Sequence, residues 1–451
     1  MMQQDKLTLK QKMGFGVCDL GGNLFFTVIG FVLLNYLTDS VGISAGLAGT
    51  IVMIGKLWDA ITDPLTGYIS DKTRTRWGRR RPFILFGSIP LFLSMIIMFT
   101  NPHLSSQIGL FIWGVLTFCL LCTAYTLVNI PYNSLTPEMT KDFHERTSLN
   151  GYRFSFAVIG TLLGAGAALP IVNAFSSRDL GYTMIGVIFG FLMMATALIT
   201  FFSVRETEAA AVAPTVGFFR TYLRVFRNRP FVLILLTYTA HLSAITIVSG
   251  IAIYYFKYIH HDESKTTLAM VTLLGVAMLF IPVSVKLSRT FGKKPVYASG
   301  LVIFSIAMML LSFLGHLYGL TFSLLMMVLA GVGAGFIYAL PWAMVPDAVE
   351  YDYLLTGERT EGAFYGIWTF GTKIGQALAL GITGAILSLT GYIPDVVQTE
   401  TAALGIRMLL GPISTVFFML ALLVLYFYPI NETRYVEIMA DIRQMEDRKA
   451  A

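Results

Sequence analysis

The segment Gly55-Lys56-Leu57-Trp58-Asp59-Ala60-Ile61-Thr62-Asp63-Pro64 puts two carboxylates and an ammonium into an otherwise apolar run. Asp59 and Asp63 are four residues apart, so on a helix they share one face, with Cβ atoms about 5 to 6 Å apart. Two carboxylates that close in a dry setting either share protons or hold a cation. An all-oxygen set suits a hard alkali ion, and the hydroxyls of Thr62 and Thr126 offer further ligands. The expected coupling ion is Na+ or H+, with no other cofactor. The competing reading has Asp63 capping a helix end before Pro64 while Asp59 pairs with Lys56; two acids on one face favour the cation site.

Asp19 and Asn23 repeat the four-residue spacing in another apolar run. Lys373 stands alone in Thr369-Phe370-Gly371-Thr372-Lys373-Ile374-Gly375-Gln376, about ten residues, or roughly 15 Å of helix, from the end of its run. An ionisable group that deep is costly and usually has a task. The nearest acids by depth are Asp59 and Asp63, and a pairing with them would tie cation occupancy to conformation. Tyr132 and Trp342, with Trp58 and Trp368, could stack against the apolar face of a sugar, or could equally be interfacial or core. His241 reads as a core histidine and Cys119-x-x-Cys122 as packing. There is no P-loop, G-x-S-x-G or H-E-x-x-H motif. The chain is expected to be no enzyme, and its work to be driven by a gradient.

These residues need a membrane scaffold. The 451 residues are 55% hydrophobic and 13% charged, against about 25% charged in a soluble domain, and the mean hydropathy is +0.70. Twelve apolar runs are long enough for helical spans: 14–36, 46–69, 83–99, 110–130, 152–172, 182–202, 231–256, 268–285, 296–314, 320–340, 364–387 and 408–428. The net charge of +6 lies in short loops between these runs rather than in a patch for nucleic acid. Most Lys and Arg fall on one side, as in the loops holding Lys72 to Arg81 and Lys286 to Lys294, which predicts cytoplasmic termini. The expectation is a monomer integral to the bacterial inner (plasma) membrane, touching lipid, a monovalent cation and a small carbohydrate.

The two halves echo each other. Gly78-Arg79-Arg80-Arg81-Pro82 after span 2 matches Gly292-Lys293-Lys294-Pro295 after span 8, and Glu145-Arg146-Thr147 after span 4 matches Glu358-Arg359-Thr360 after span 10. A two-fold repeat of six helices describes an all-α membrane protein of the major facilitator fold, twelve transmembrane helices in two six-helix halves with a site between them at mid-depth. The expected organisation is an N-terminal bundle 1–204, a cytoplasmic linker 205–230, a C-terminal bundle 231–428 and a cytoplasmic tail 429–451. Asp71 at the end of span 2, with Arg79, Arg146 and Arg359 in the loops, forms the expected gating set. The alternative is that Arg74 to Arg81 only anchor topology and anionic lipid.

Trp58-Asp59-Ala60-Ile61-Thr62-Asp63-Pro64, with Gly78-Arg79-Arg80-Arg81-Pro82, Asn129-Ile130-Pro131-Tyr132 and Tyr254-Tyr255-Phe256, resembles the glycoside-pentoside-hexuronide:cation symporters. The resemblance implies that Asp59 and Asp63 bind the cation with help from Thr126, that Arg153 binds sugar, and that Lys373 serves both sites. Asn129 stands where the family has a sugar-binding aspartate, and Asn133 where it has a tryptophan, which argues against a galactoside. Thr62 stands where it has an asparagine, leaving sodium or proton open. Asp19 is two positions out of register with the family's span 1 aspartate. The resulting expectation is a secondary active symporter for a sugar, glycoside or hexuronide. The rivals are a lysolipid carrier of the same superfamily and a non-transporting membrane sensor.

Overall fold

The computed structural model describes residues 7–139, 143–204, 225–357 and 361–450. Arg359 and most of the 205–230 segment lie outside the described residues, as do the side chains of Asp71 and Arg146. In hydrocarbon each backbone N–H and C=O must be satisfied within the chain, so uniformly apolar runs become helices. Among the described residues, eleven helices are long and apolar enough to cross a membrane. One of them, Lys293–Thr356, has 64 residues, about 96 Å of straight helix at 1.5 Å per residue against a hydrocarbon core of about 30 Å. It breaks at Gly319, whose φ of 75° and ψ of −166° are open to glycine but not to a side chain. That break yields spans 9 and 10, so twelve crossings result.

Spans 1 to 8 are Leu9–Phe31, Ala45–Lys72, Arg81–Met98, Gln107–Met139, Phe143–Asn173, Arg178–Ser203, Arg229–Tyr258 and Ser264–Phe291. Spans 9 and 10 occupy Lys293–Thr356 on either side of Gly319, span 11 is Glu361–Leu389 and span 12 is Glu400–Tyr426. A tail helix, Glu432–Ala450, follows, with Ile438 and Ile442 buried. Gly78 and Gly292, matched by the repeat, both turn through positive φ, at 103° and 86°.

Span 2 packs along span 11, span 5 along span 8, and span 1 against span 7. The approach of spans 2 and 11 is closest on the face opposite the termini, where a Cβ on Gly49 would lie 2.8 Å from the Gly384 Cα. Below that contact the two helices carry Asp59, Asp63 and Lys373. Span 1 ends on the opposite face in a π-helical turn, Tyr36–Ser40, which presents Asp39 to the last six spans.

Candidate functional site

Span 2 continues helical through Pro64 to Lys72, so Asp63 caps no helix end. Nor is Lys56 the ion-pair partner of Asp59. The Lys373 ammonium takes that place, 2.8 Å from Asp59 Oδ2 and hydrogen-bonded to Asp63 Oδ2. Thr126 Oγ1, from span 4, lies 2.9 Å from Asp59 Oδ1 and 3.0 Å from Asp63 Oδ1, so its single proton is shared between the two carboxylates. Asp59, Lys373 and Thr126 are buried, so helices 2, 4 and 11 meet in a dry knot of two acids, one base and one hydroxyl. The Thr62 hydroxyl donates to the Asp59 carbonyl of its own helix at 3.2 Å and does not join the carboxylates. The described residues hold no cluster of three or more His, Cys, Asp or Glu suited to a metal ion; the candidate alkali-ion set is two carboxylates and a hydroxyl.

A second group joins spans 1, 4 and 5. Asp19 Oδ2 accepts from Tyr132 Oη at 2.5 Å and from Arg153 Nε at 2.6 Å. Arg153 Nη2 also donates to Asn133 Oδ1 at 2.5 Å, and Asn133 Nδ2 donates to Asn129 Oδ1 at 3.1 Å. The guanidinium lies over the Tyr132 ring, 4.9 Å from its centroid. Asn23 is drawn to the Asp19 backbone carbonyl at 2.9 Å rather than to its carboxylate. The structure therefore joins Asp19, Asn129, Tyr132 and Arg153 into one network, with Asn133 as the link.

On the other side of the central region, Trp342 is 47% exposed and its Nε1 donates to Tyr238 Oη at 3.2 Å. Tyr238 stacks on Trp368 with centroids 4.5 Å apart and planes 10° apart. Sequence reasoning missed Tyr238; a tyrosine among apolar residues of span 7 carries no local signal of a stack formed with span 11. Trp58 turns its indole N–H to Thr123 at 2.9 Å, and His241 bonds Tyr297 at 3.0 Å inside the last six spans. Arg79 follows the tight turn closed by Thr75 and Gly78, where Gly78 N donates to Thr75 O at 3.1 Å.

The described side-chain bonds between the first six and last six spans lie at mid-depth or on the face opposite the termini. On that face Asp39 accepts from Lys257 at 2.5 Å, Tyr258 at 3.0 Å and Tyr392 at 2.5 Å. Arg178 pairs with Glu263 at 2.5 Å, and Thr38 shares a hydrogen bond with Tyr254 at 2.8 Å. That face is closed. Toward the terminus face, Asn133, Trp342 and Phe370 are exposed.

The sequence matches the family described as MFS/sugar transport protein over residues 14–432. The "Putative sulfoquinovose importer" of Salmonella typhimurium is 34% identical, the match covering 97% of this chain and 93% of that one. The "Glucuronide carrier protein homolog" of Escherichia coli is 30% identical, covering 97% and 96%. The solved structure of a mutant form of the nucleoside transporter NupG superposes with a TM-score of 0.67 at 12% identity, covering 93% of this chain and 98% of that one, a likeness of fold. These findings correct one expectation: they support the major facilitator superfamily at large and not specifically the glycoside-pentoside-hexuronide:cation symporters. Roles for Arg153, Asn129 and Lys373 that rested on that resemblance now rest on geometry. The fold and relatives make this a membrane-embedded secondary transporter of small polar solutes, not an enzyme. The chain belongs to the MFS/sugar transport protein family of the major facilitator superfamily.

Proposed function

We propose that the protein is a cation-coupled symporter for a sugar, glycoside or hexuronide, working by alternating access between halves 1–204 and 231–428. The carrying observation is Lys373, which reaches from span 11 to Asp59 and Asp63 on span 2. One ammonium beside two carboxylates leaves the Asp59–Asp63–Lys373 group itself at −1, which draws one monovalent cation, sodium or proton, to it. Asp59, Asp63 and Thr126 are the cation ligands; Thr62 serves only if its hydroxyl leaves the Asp59 carbonyl. Asp19, Asn129, Tyr132 and Arg153 face the substrate from one half, with Asn23 behind Asp19 and Trp342 opposite.

The names of the relatives, which mention sulfoquinovose and glucuronide, support a sugar cargo. The basic loops support cytoplasmic termini in a bacterial inner membrane, with 205–230 as linker and 429–451 as tail. With that orientation the closed face is the outer one, and the site faces the cytoplasm. Asp71, Arg79, Arg146 and Arg359 form the latch that closes the cytoplasmic face in the opposite state. Uptake of a radiolabelled panel of glycosides and uronides into vesicles with an imposed sodium or proton gradient tests the reading. Accumulation above equilibration under one gradient is expected; equilibration alone under both overturns it.

A further inference from the structure

Lys56 is left over from the site as described. It is 3% exposed on span 2, one turn beyond Asp59, and its ammonium lies over Phe26 and Phe25, 5.0 and 5.7 Å from their ring centroids. Aromatic faces hold a cation by their quadrupole and do not neutralise it. Six carboxylate, ammonium and guanidinium groups among the described residues make up or adjoin the two networks: Asp19, Lys56, Asp59, Asp63, Arg153 and Lys373. Asp19 and Arg153 cancel in their ion pair. Lys373 offsets one of the two acids of span 2, and the Lys56 ammonium balances the other in the charge count, without an ion pair among the described contacts. The empty site thus sums to zero.

We infer, resting on the symporter reading, that the site takes its cation together with a monoanionic sugar, that the pair crosses without net charge, and that Lys56 sets this requirement. A cation alone makes the buried site +1, and an anionic sugar alone makes it −1. Closing the protein over an unbalanced charge removes that charge from water, which is costly in a low-dielectric interior. Only the empty and the doubly loaded forms are balanced, so only these occlude and exchange faces. The same sum that selects a carboxylate or sulfonate on the sugar also forbids the cation from crossing alone. Coupling and specificity then have one electrostatic origin. A neutral glycoside with its cation leaves the site at +1.

The test uses purified full-length protein in proteoliposomes with two matched probes, methyl β-D-glucuronide and methyl β-D-glucoside, under sodium and proton gradients. The glucuronide is expected to enter at least about seventyfold faster than the glucoside, the lower end of what one uncompensated buried charge costs. Its uptake should give no transient current on a solid-supported membrane and should ignore a potassium diffusion potential. Lys56→Met makes the empty site −1, so the preference should reverse towards the glucoside and the cation should leak without sugar. Lys56→Arg, which keeps the charge, should keep the anion preference. Glucoside uptake equal to that of the glucuronide, or a current accompanying glucuronide entry in the unmodified protein, overturns the inference while leaving a symporter. Uptake of neither probe under either gradient overturns the symporter reading, and this inference with it.

Discussion

Two lysine–aspartate contacts join the halves, one at mid-depth and one at the closed face, and they are built differently. At the closed face both oxygens of Asp39 are filled: Oδ1 accepts from Tyr392 and from Thr38 at 2.8 Å, and Oδ2 from Lys257 and Tyr258. Lys257 is shared in turn with Asp395 at 2.7 Å. Burial pushes the Tyr392 phenol well above its ordinary range, so it remains a donor at any physiological pH. A carboxylate offers about four lone-pair sites, and Asp39 uses them on protein. At mid-depth, the four carboxylate oxygens of Asp59 and Asp63 share one hydroxyl and one ammonium. The saturated carboxylate is suited to hold a conformation, and the undersupplied pair is suited to take a ligand.

The strongest way to break this contrast is to remove Lys373. Taking one partner from a buried charge group costs about 3 to 5 kcal/mol. Lys373→Ala is therefore expected to lose concentrative uptake altogether, with a measurable drop in the melting temperature of the detergent-solubilised protein. Lys373→Arg keeps the charge but replaces a compact ammonium with a planar fork, and should lose most of the activity with a smaller change in melting. Wild-type accumulation by both variants would place the lysine outside the coupling step. Asp59→Asn follows in severity: cation-driven accumulation is expected to vanish while exchange of internal for external substrate persists, because the carboxylate supplies charge to the ion and not shape to the cargo. Counterflow measured beside net uptake separates the two activities.

The contrast was half legible in the sequence. Asp59, Asp63 and Lys373 stood out because a charge inside an apolar run is conspicuous, and their depth along the spans already suggested that they meet. Asp39 did not stand out. It sits at the edge of an apolar run in Tyr36-Leu37-Thr38-Asp39, where a charge is ordinary, and its partners Lys257, Tyr258 and Tyr392 come from two distant segments. The break at Gly319 was legible as a loop between two spans. The Tyr238–Trp368 stack was not, because two aromatics on different helices announce a contact only when the packing of spans 7 and 11 is known. Side-chain direction also escaped: Thr62 neighbours the carboxylates in sequence, yet its hydroxyl turns to its own backbone.

The closed-face contact can be weakened without touching the central site. Asp39→Asn keeps the shape and removes the charge that Lys257 faces. Hydrogen bonds to charged groups contribute about 1.5 to 3 kcal/mol, so the closed state should lose roughly one to two powers of ten in population relative to the opposite one. The reporter is a cysteine at Ala48, buried on span 2 next to the Gly49–Gly384 contact, in a background lacking Cys18, Cys119 and Cys122. Labelling by a membrane-impermeant maleimide from the face opposite the termini is expected to speed up accordingly. An unchanged rate would mean that glycine packing, and not the Asp39 cage, keeps that face shut.

The smallest effect sharpens the comparison inside the central region, between groups meant for the ion and groups meant for the cargo. Asn129 makes no described contact with Asp59, Asp63 or Lys373; its carbonyl oxygen accepts from Asn133, whose own oxygen accepts from Arg153. Asn129→Ala removes one neutral hydrogen bond and lets Asn133 turn, which slackens the hold on Arg153 while leaving its ion pair with Asp19 in place. A neutral hydrogen bond contributes about 0.5 to 1.5 kcal/mol, so substrate affinity should fall by roughly two- to tenfold. Sodium or proton affinity measured without sugar should not move, because the described bonds of the Asn129–Asn133–Arg153 chain run to Asp19 and not to the carboxylates of span 2. Calorimetric titration of the cation and of methyl β-D-glucuronide into the same preparation reads both quantities. Equal losses in the two would mean that the networks are one unit, and that the division of labour drawn between span 2 and spans 1, 4 and 5 is wrong.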